Sequence, residues 1–360
     1  MGTVDTYFLD FLKNIRLTQN QIKDLAKGHN TLRKRLLEDD ISDIVETTFL
    51  QGSYKRKTAV KTKDGKRSDV DIIVVTNLDA DIVTPNEALE KFKPFLDKYY
   101  KGKYEINQRS IGIELSYVDL DLVITANVKD KETLSFIKNE GYKQTRGLQE
   151  MIDEEDYYSL KLDELVFTNT NQEADEPKSI LIPDNKENNW SLTNPLAQIN
   201  WTIEKNRLCN GHYVNVVKSL KWWKKHYETP KYPKGYPLEH LIGQTCSDDI
   251  NTVAEGIVET FENIVKEYPT KPILTDHGVE DHDVFKRITD DEYKEFYGLV
   301  EEAALLARKA LDEPNKSTSI NYWRELLGNE FPESKDPTTA QNKFTSRKGP
   351  TEEIGSARFG

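Results

Sequence analysis

The residues best placed to do chemistry are Gly52-Ser53, then Asp69-Val70-Asp71, then Asp119-Leu120-Asp121. Phosphoryl transfer from a nucleoside triphosphate uses two divalent cations about 3.5–4 Å apart, which clamp the attacking and leaving oxygens of an in-line displacement. Mg²⁺ takes oxygen ligands for this, a few carboxylates together with substrate phosphate and water. Side chains alternate along a strand, so Asp69 and Asp71 share one face while Val70 and Ile72 turn into a core. A third carboxylate from a neighbouring strand completes such a site, and Asp119 and Asp121, equal in parity, both qualify. Gly52 lets a backbone approach an anion closely, and Ser53 offers a hydroxyl and an amide at a helix start. Lys55, Arg56, Lys57, Lys61, Lys63, Lys66 and Arg67, set against Asp64, supply countercharge. Singly, each feature has a plain reading as solvated strand edge, loop or turn. Their order and spacing together single out one reaction.

The elements that must hold these groups follow from periodicity. Apolar residues at helical spacing predict one helix over 5–38, and Val45–Leu50 reads as a strand ending at Gln51-Gly52-Ser53. Asp64-Gly65 marks a turn, 69–76 a strongly apolar strand, and 85–100 a helix. Residues 104–108, 111–115 and 118–125 read as further strands, which gives a mixed α/β layer. From about 130 to 190 the chain is polar, with 168–176 a loop. Helical spacing returns over 201–225, 241–268 and 290–311, and 323–331 forms a short apolar closing segment. Beyond Pro332 apolar residues nearly vanish, as in a flexible tail.

Composition excludes several classes. The 360 residues carry 50 Lys and Arg against 62 Asp and Glu, a net charge of −12, so the surface as a whole repels nucleic acid and anionic membrane. Two cysteines, Cys209 and Cys246, cannot build a disulfide framework or a cysteine zinc site alone. No leader pattern occupies 1–11 and no stretch approaches the ~18 apolar residues of a membrane span, so the expected place is the cytoplasm, with no membrane partner. There is no P-loop, no His-Glu-x-x-His and no Gly-x-Ser-x-Gly. His277 and His282, among acids, read as an exposed loop.

Gln51-Gly52-Ser53 followed by Asp69-Val70-Asp71 resembles the signature of DNA polymerase β-like nucleotidyltransferases. Ile182-Pro183-Asp184 leading to Trp190-x-x-Thr193-Asn194-Pro195, Val217-Lys218-Ser219-Leu220-Lys221-Trp222-Trp223, and Trp323-Arg324-Glu325-Leu326-Leu327-Gly328 narrow the resemblance to the bacterial cGAS/DncV-like nucleotidyltransferases, the CD-NTases. The resemblance spans residues 45 to 331.

It implies an α+β, two-lobed polymerase β-like fold. Residues 1–200 would form a catalytic lobe with an N-terminal bracing helix, 201–332 a helical lobe closing the nucleotide cleft, and 333–360 a flexible tail. The implied activity is synthesis of a cyclic oligonucleotide second messenger from NTPs, ATP among them, in anti-phage (CBASS) defence. Asp69, Asp71 and Asp121 would be the catalytic acids and hold two Mg²⁺ ions, or Mn²⁺, with Asp119 the alternative third acid. Gln51, Gly52, Ser53, Lys218 and Lys221 would bind nucleotide. Gly235, before Tyr236, stands where many relatives carry serine. Implied partners are an effector that senses the product and an E1/E2-like ligase acting on Gly360. Two rivals use the same motifs, a template-independent RNA-tailing enzyme and an inactive nucleotide- or RNA-binding protein. Base choice, ring size, linkage, oligomeric state and any nucleic-acid activator stay open at this level.

Overall fold

The computed structural model describes residues 4–62, 67–139 and 179–334. The expected 168–176 loop, Lys63 and Lys66, and the tail from 335 to Gly360 lie outside them. Two helices replace the single one predicted over 5–38: α1 (Asp5–Ile15) and α2 (Gln19–Glu38). Thr18 makes the break. Its hydroxyl accepts from the Gln21 amide at 3.2 Å while the Gln21 side chain accepts from the Thr18 amide at 3.0 Å, a reciprocal cap that starts a new helix.

Five strands form the main sheet: β1 (Val45–Gln51), β2 (Asp69–Thr76), β3 (Tyr104–Ile106), β4 (Ile111–Glu114) and β5 (Asp119–Ile124), in the order β1-β2-β5-β4-β3. β2 and β5 run parallel and the other pairs antiparallel, so the sheet is mixed. Val70, Ile72 and Val74 of β2 pack with Leu120 and Leu122 of β5 against α2 and α4 (Pro85–Tyr100). Alternation sends Asp69 and Asp71 to the opposite face. Farther along that face Ile73 and Val75 pack with Phe49, Ile137, Ile180 and Leu196. One end of it is therefore apolar and the other carries carboxylates.

A short helix α3 (Gly52–Lys55) follows β1, and residues 131–139 form helix α5, which the polar text had hidden. The hairpin β6 (Ile180–Asp184) and β7 (Asn189–Thr193) was likewise unforeseen. The second half is helical: α6 (Pro195–Leu208), α7 (Tyr213–Lys224), α8 (Tyr236–Thr245), α9 (Val253–Glu267), α10 (Asp290–Asp312) and α11 (Lys316–Leu327). The helices expected over 201–225 and 241–268 are each two. Asn210 and Gly211 take φ of 51° and 81°, which no α-helix continues. Thr252 caps α9 by accepting from the Glu255 amide.

The hairpin β8 (Thr275–Asp276) and β9 (Val279–Asp283) corrects the exposed-loop reading of His277. Its ring stacks on Trp201 at 3.9 Å between centroids and on His240 at 4.1 Å. Burial, then the neighbouring His240, lowers His277 to about 3, so it stays neutral.

These helices share one core, built around Trp223, Phe261, Phe296 and Trp323, and α1 belongs to it through Phe8, Phe11 and Ile15. α2 belongs to the sheet core.

Candidate active site

Between the two cores lies a cleft of about 450 Å³. From the sheet side it is lined by Gln51, Gly52, Ser53, Arg56, Asp69 and Asp71; from the helical side Lys221, Gly235, Tyr236 and Glu239. The strand register sets the carboxylates. Asp71 faces Asp121 across the parallel β2–β5 pair, Asp69 faces Asp119, and Gln51 faces Asp71 from β1. Neighbouring strands lie about 4.8 Å apart, so these acids are immediate neighbours.

Their electrostatics show the strain of like charges. Burial, then Asp69 and Asp121, raise Asp71 to about 7 against the opposing pull of Arg56. Asp121 is also raised, by burial most, while a hydrogen bond from Ser110 works the other way and Asp69 adds to the rise. Its Oδ1 is buried with no hydrogen-bond partner. A desolvated, unpartnered carboxylate oxygen beside a carboxyl that resists ionisation is a donor set short of positive charge, and a divalent cation fits it. Among the described residues no three ligating side chains already converge as a closed metal cage. Mutually repelling carboxylates need an ion between them before they draw together.

The two candidates for third acid differ in their surroundings, and neither is among the cleft-lining residues. Asp119 is taken by Arg67, whose Nε lies 2.6 Å from Oδ1 and whose Nη2 reaches Glu114 at 3.1 Å. Asp121 faces Asp71 with an oxygen to spare.

Gly52 is fixed by geometry, with φ of +71° and a notional Cβ only 1.7 Å from Asp71 Oδ2. Lys221 lines the cleft as expected. Lys218, one turn earlier, is buried in α7 and is not among the cleft-lining residues, so its expected phosphate contact has no support there. Gly235 lines the cleft with φ of +61°, a conformation that favours glycine over the serine the resemblance led one to expect there.

The sequence did not single out Glu239. Its Oε2 accepts from Arg56 Nε at 3.1 Å and Thr58 Oγ1 at 2.8 Å, and its Oε1 from Lys221 Nζ at 2.7 Å. Burial opposes its ionisation, but Arg56 and Lys221 outweigh that and hold it at about 2. The signal was available: Glu239 follows Leu238 and precedes Leu241 and Ile242 on the buried side of α8, and an acid in an apolar stripe requires partners. Arg56 appeared only as one of a basic run. It is buried, and its guanidinium sits 5.1 Å from the Tyr236 ring centroid.

A mixed sheet presenting neighbouring carboxylates to a Gly-Ser turn, closed by a helical lobe with a cleft lysine, defines a nucleotidyltransferase. Residues 1–153 match the Second Messenger Oligonucleotide or Dinucleotide Synthetase domain. The chain is 41% identical to the cyclic AMP-AMP-GMP synthase of Enterobacter hormaechei subsp. hoffmannii over 98% of each chain. It is 42% identical to a probable cyclic AMP-AMP-GMP nucleotide synthase of Salmonella paratyphi B over 99% of each. In fold it is similar to E. coli MS115-1 CdnC with ATP, with a TM-score of 0.65, 13% identity, and 91% and 98% of the two chains covered. The chain belongs to the CD-NTase family and has its polymerase β-like fold. It is a synthase of cyclic oligonucleotides, and neither the tailing enzyme nor the inactive binder is favoured.

Proposed function

We propose that this enzyme joins ATP and GTP into a cyclic trinucleotide of two AMP and one GMP. The product assignment rests on the two relatives that match nearly end to end and carry that activity in their names. The observation that carries the chemistry is the side-by-side register of Asp71 and Asp121 over the Gly52-Ser53 turn.

Asp69, Asp71 and Asp121 would hold two Mg²⁺ ions, with Mn²⁺ able to replace them. Held there, such ions would supply Lewis acidity that makes the acceptor hydroxyl easier to deprotonate and would offset charge on the phosphates. Asp121 Oδ1, free of other hydrogen bonds, accepts the proton of the acceptor ribose hydroxyl. The ribose oxygen, relieved of its proton, forms a bond to the donor α-phosphorus as the bond from that phosphorus to pyrophosphate breaks. Backbone at Gly52 and the Ser53 hydroxyl cradle the triphosphate, Gln51 orients it, and Lys221 neutralises it from the helical side. The same centre then closes the ring. The sheet core with α2 and the helical core with α1 act as the two lobes of this cleft.

In this reading the product is a signal in CBASS anti-phage defence, sensed by a separate effector. Gly360, outside the described residues, would be the point of attachment for an E1/E2-like ligase. No described helix is long and apolar enough to cross a membrane.

Purified protein incubated with all four NTPs and Mg²⁺, then phosphatase, should yield a resistant species with the mass of cyclic AMP-AMP-GMP by mass spectrometry. Linear products alone, or growth of an added RNA, would overturn the reading. A mass of three AMP would correct the base choice. The Asp69→Asn, Asp71→Asn double variant should lose synthesis entirely while its melting temperature stays at or above that of the parent, because like-charge repulsion is relieved.

A further inference from the structure

Glu239 divides its two oxygens between the halves of the molecule. Oε2 takes Arg56 and Thr58, which follow the α3 turn on the sheet side, while Oε1 takes Lys221 of the helical lobe. The acid and Arg56 are nearly sealed, with side chains 5% and 6% exposed, whereas Lys221 keeps 11% and forms part of the cleft wall. An ammonium has three donors, and Glu239 accepts one of them. The Lys221 bond is thus separable. If it lengthens, Glu239 still holds Arg56 and Thr58 through its other oxygen.

We propose that Glu239 is a positioning residue that serves as the internal counter-anion of Lys221, fixing the ammonium at the cleft wall and tempering its pull on the substrate triphosphate. The inference rests on the triphosphate reading of the cleft given above. Glu239 accepts from Lys221 as phosphate oxygens would, and once nucleotide arrives Lys221 is shared between the two anions. Sharing weakens the grip on substrate and on departing pyrophosphate alike. A charge that holds pyrophosphate too firmly slows release, so the carboxylate favours turnover over affinity.

The test uses a fluorescent non-hydrolysable ATP analogue with Mg²⁺, read by anisotropy, alongside melting temperatures with and without it. Glu239→Gln should bind the analogue roughly tenfold more tightly, the factor that about 1.4 kcal/mol commands. Its melting temperature without nucleotide should fall, its stabilisation by the analogue should exceed that of the parent, and kcat and KM should drop together. A strut that merely joins the lobes would instead give weaker or unchanged binding, and that result overturns the proposal.

Placing Glu239→Gln in a Lys221→Met background should abolish the tightening, since the effect runs through that ammonium; tightening that persists there also overturns it. Should Glu239→Gln fail to fold, Lys221→Met alone decides. Counter-anion pairing expects weaker analogue binding with the melting temperature held within about 2 °C, because Arg56 and Thr58 remain on Glu239. A strut expects the melting temperature to collapse. Failure of the parent protein to bind the analogue would count against the triphosphate reading itself, a separate outcome.

Discussion

At Gly52 the backbone has φ of +71° and no room for a side chain, since an added Cβ would sit 1.7 Å from Asp71 Oδ2. Gly52→Ala should therefore cost about 1–3 kcal/mol in stability from the left-handed conformation and displace Asp71, lowering synthesis at least a hundredfold. Parent-like activity in this variant, measured by product mass, would contradict the packing. Asp71 makes a pH prediction too. Its carboxyl is raised to about 7 in the folded state, so the native protein binds that proton more tightly than the unfolded chain does. Without metal, stability falls as pH rises from about 4 toward 7, and Asp71→Asn should flatten the slope. Metal must displace the same proton, so Mn²⁺ affinity followed by titration should rise between pH 6 and 8. Asp69, Asp71 and Gly52 were legible because alternation and chain order alone place them. Glu239 and Arg56 were not, because their meaning lies in a pairing across the two cores that no local pattern encodes.

Elements were legible where one period runs unbroken, as in β2, β5, α4 and α10. They were misread where a cap or a left-handed pair interrupts a continuing apolar rhythm. The joint between α1 and α2 is the clearest case, since the apolar spacing carries straight through a break that Thr18 and Gln21 impose. Asn210-Gly211 conceals the α6–α7 break in the same way, and Asn206 then satisfies the buried first-turn Val214 amide with its side-chain oxygen at 3.0 Å. The hairpins β6–β7 and β8–β9 escaped notice because their strands are short, no more than five residues each, and those of β8–β9 are almost wholly polar. Thr18→Ala removes the side-chain acceptor of the α2 cap and should lower stability by about 1 kcal/mol in chemical denaturation. The effect on synthesis should exceed that loss, because Leu17, within the same joint, lines the cleft. A change in stability with wholly unaltered kinetics would show that the joint does not position the site.

On the scale of the whole molecule, the start of the chain closes the core built by its end. Phe8 meets Trp323 and Phe331 edge to face, each at 5.0 Å between centroids. Phe11 packs against Phe331 at 5.5 Å with no exposure of its own. The single N-terminal helix expected to brace both lobes is thus two helices in two cores, α1 inside the helical one and α2 against the sheet. The same helix reaches the site. Ile15 O accepts from the Lys61 amide at 2.8 Å, the Lys61 ammonium pairs with Glu330 at 2.9 Å, and Lys225 Nζ donates to Lys61 O at 3.0 Å. The cleft-lining stretch Ala59, Val60 and Thr62 is thereby held between the first helix and the last turns of the helical lobe. Phe8→Ala deletes an aromatic buried on all sides and should cost about 3–5 kcal/mol, as truncations of core aromatics do. The loss should appear in both halves together, with tryptophan fluorescence and nucleotide binding failing at the same denaturant concentration. A helix that merely decorated the surface would cost under about 1 kcal/mol and leave the two transitions where they were.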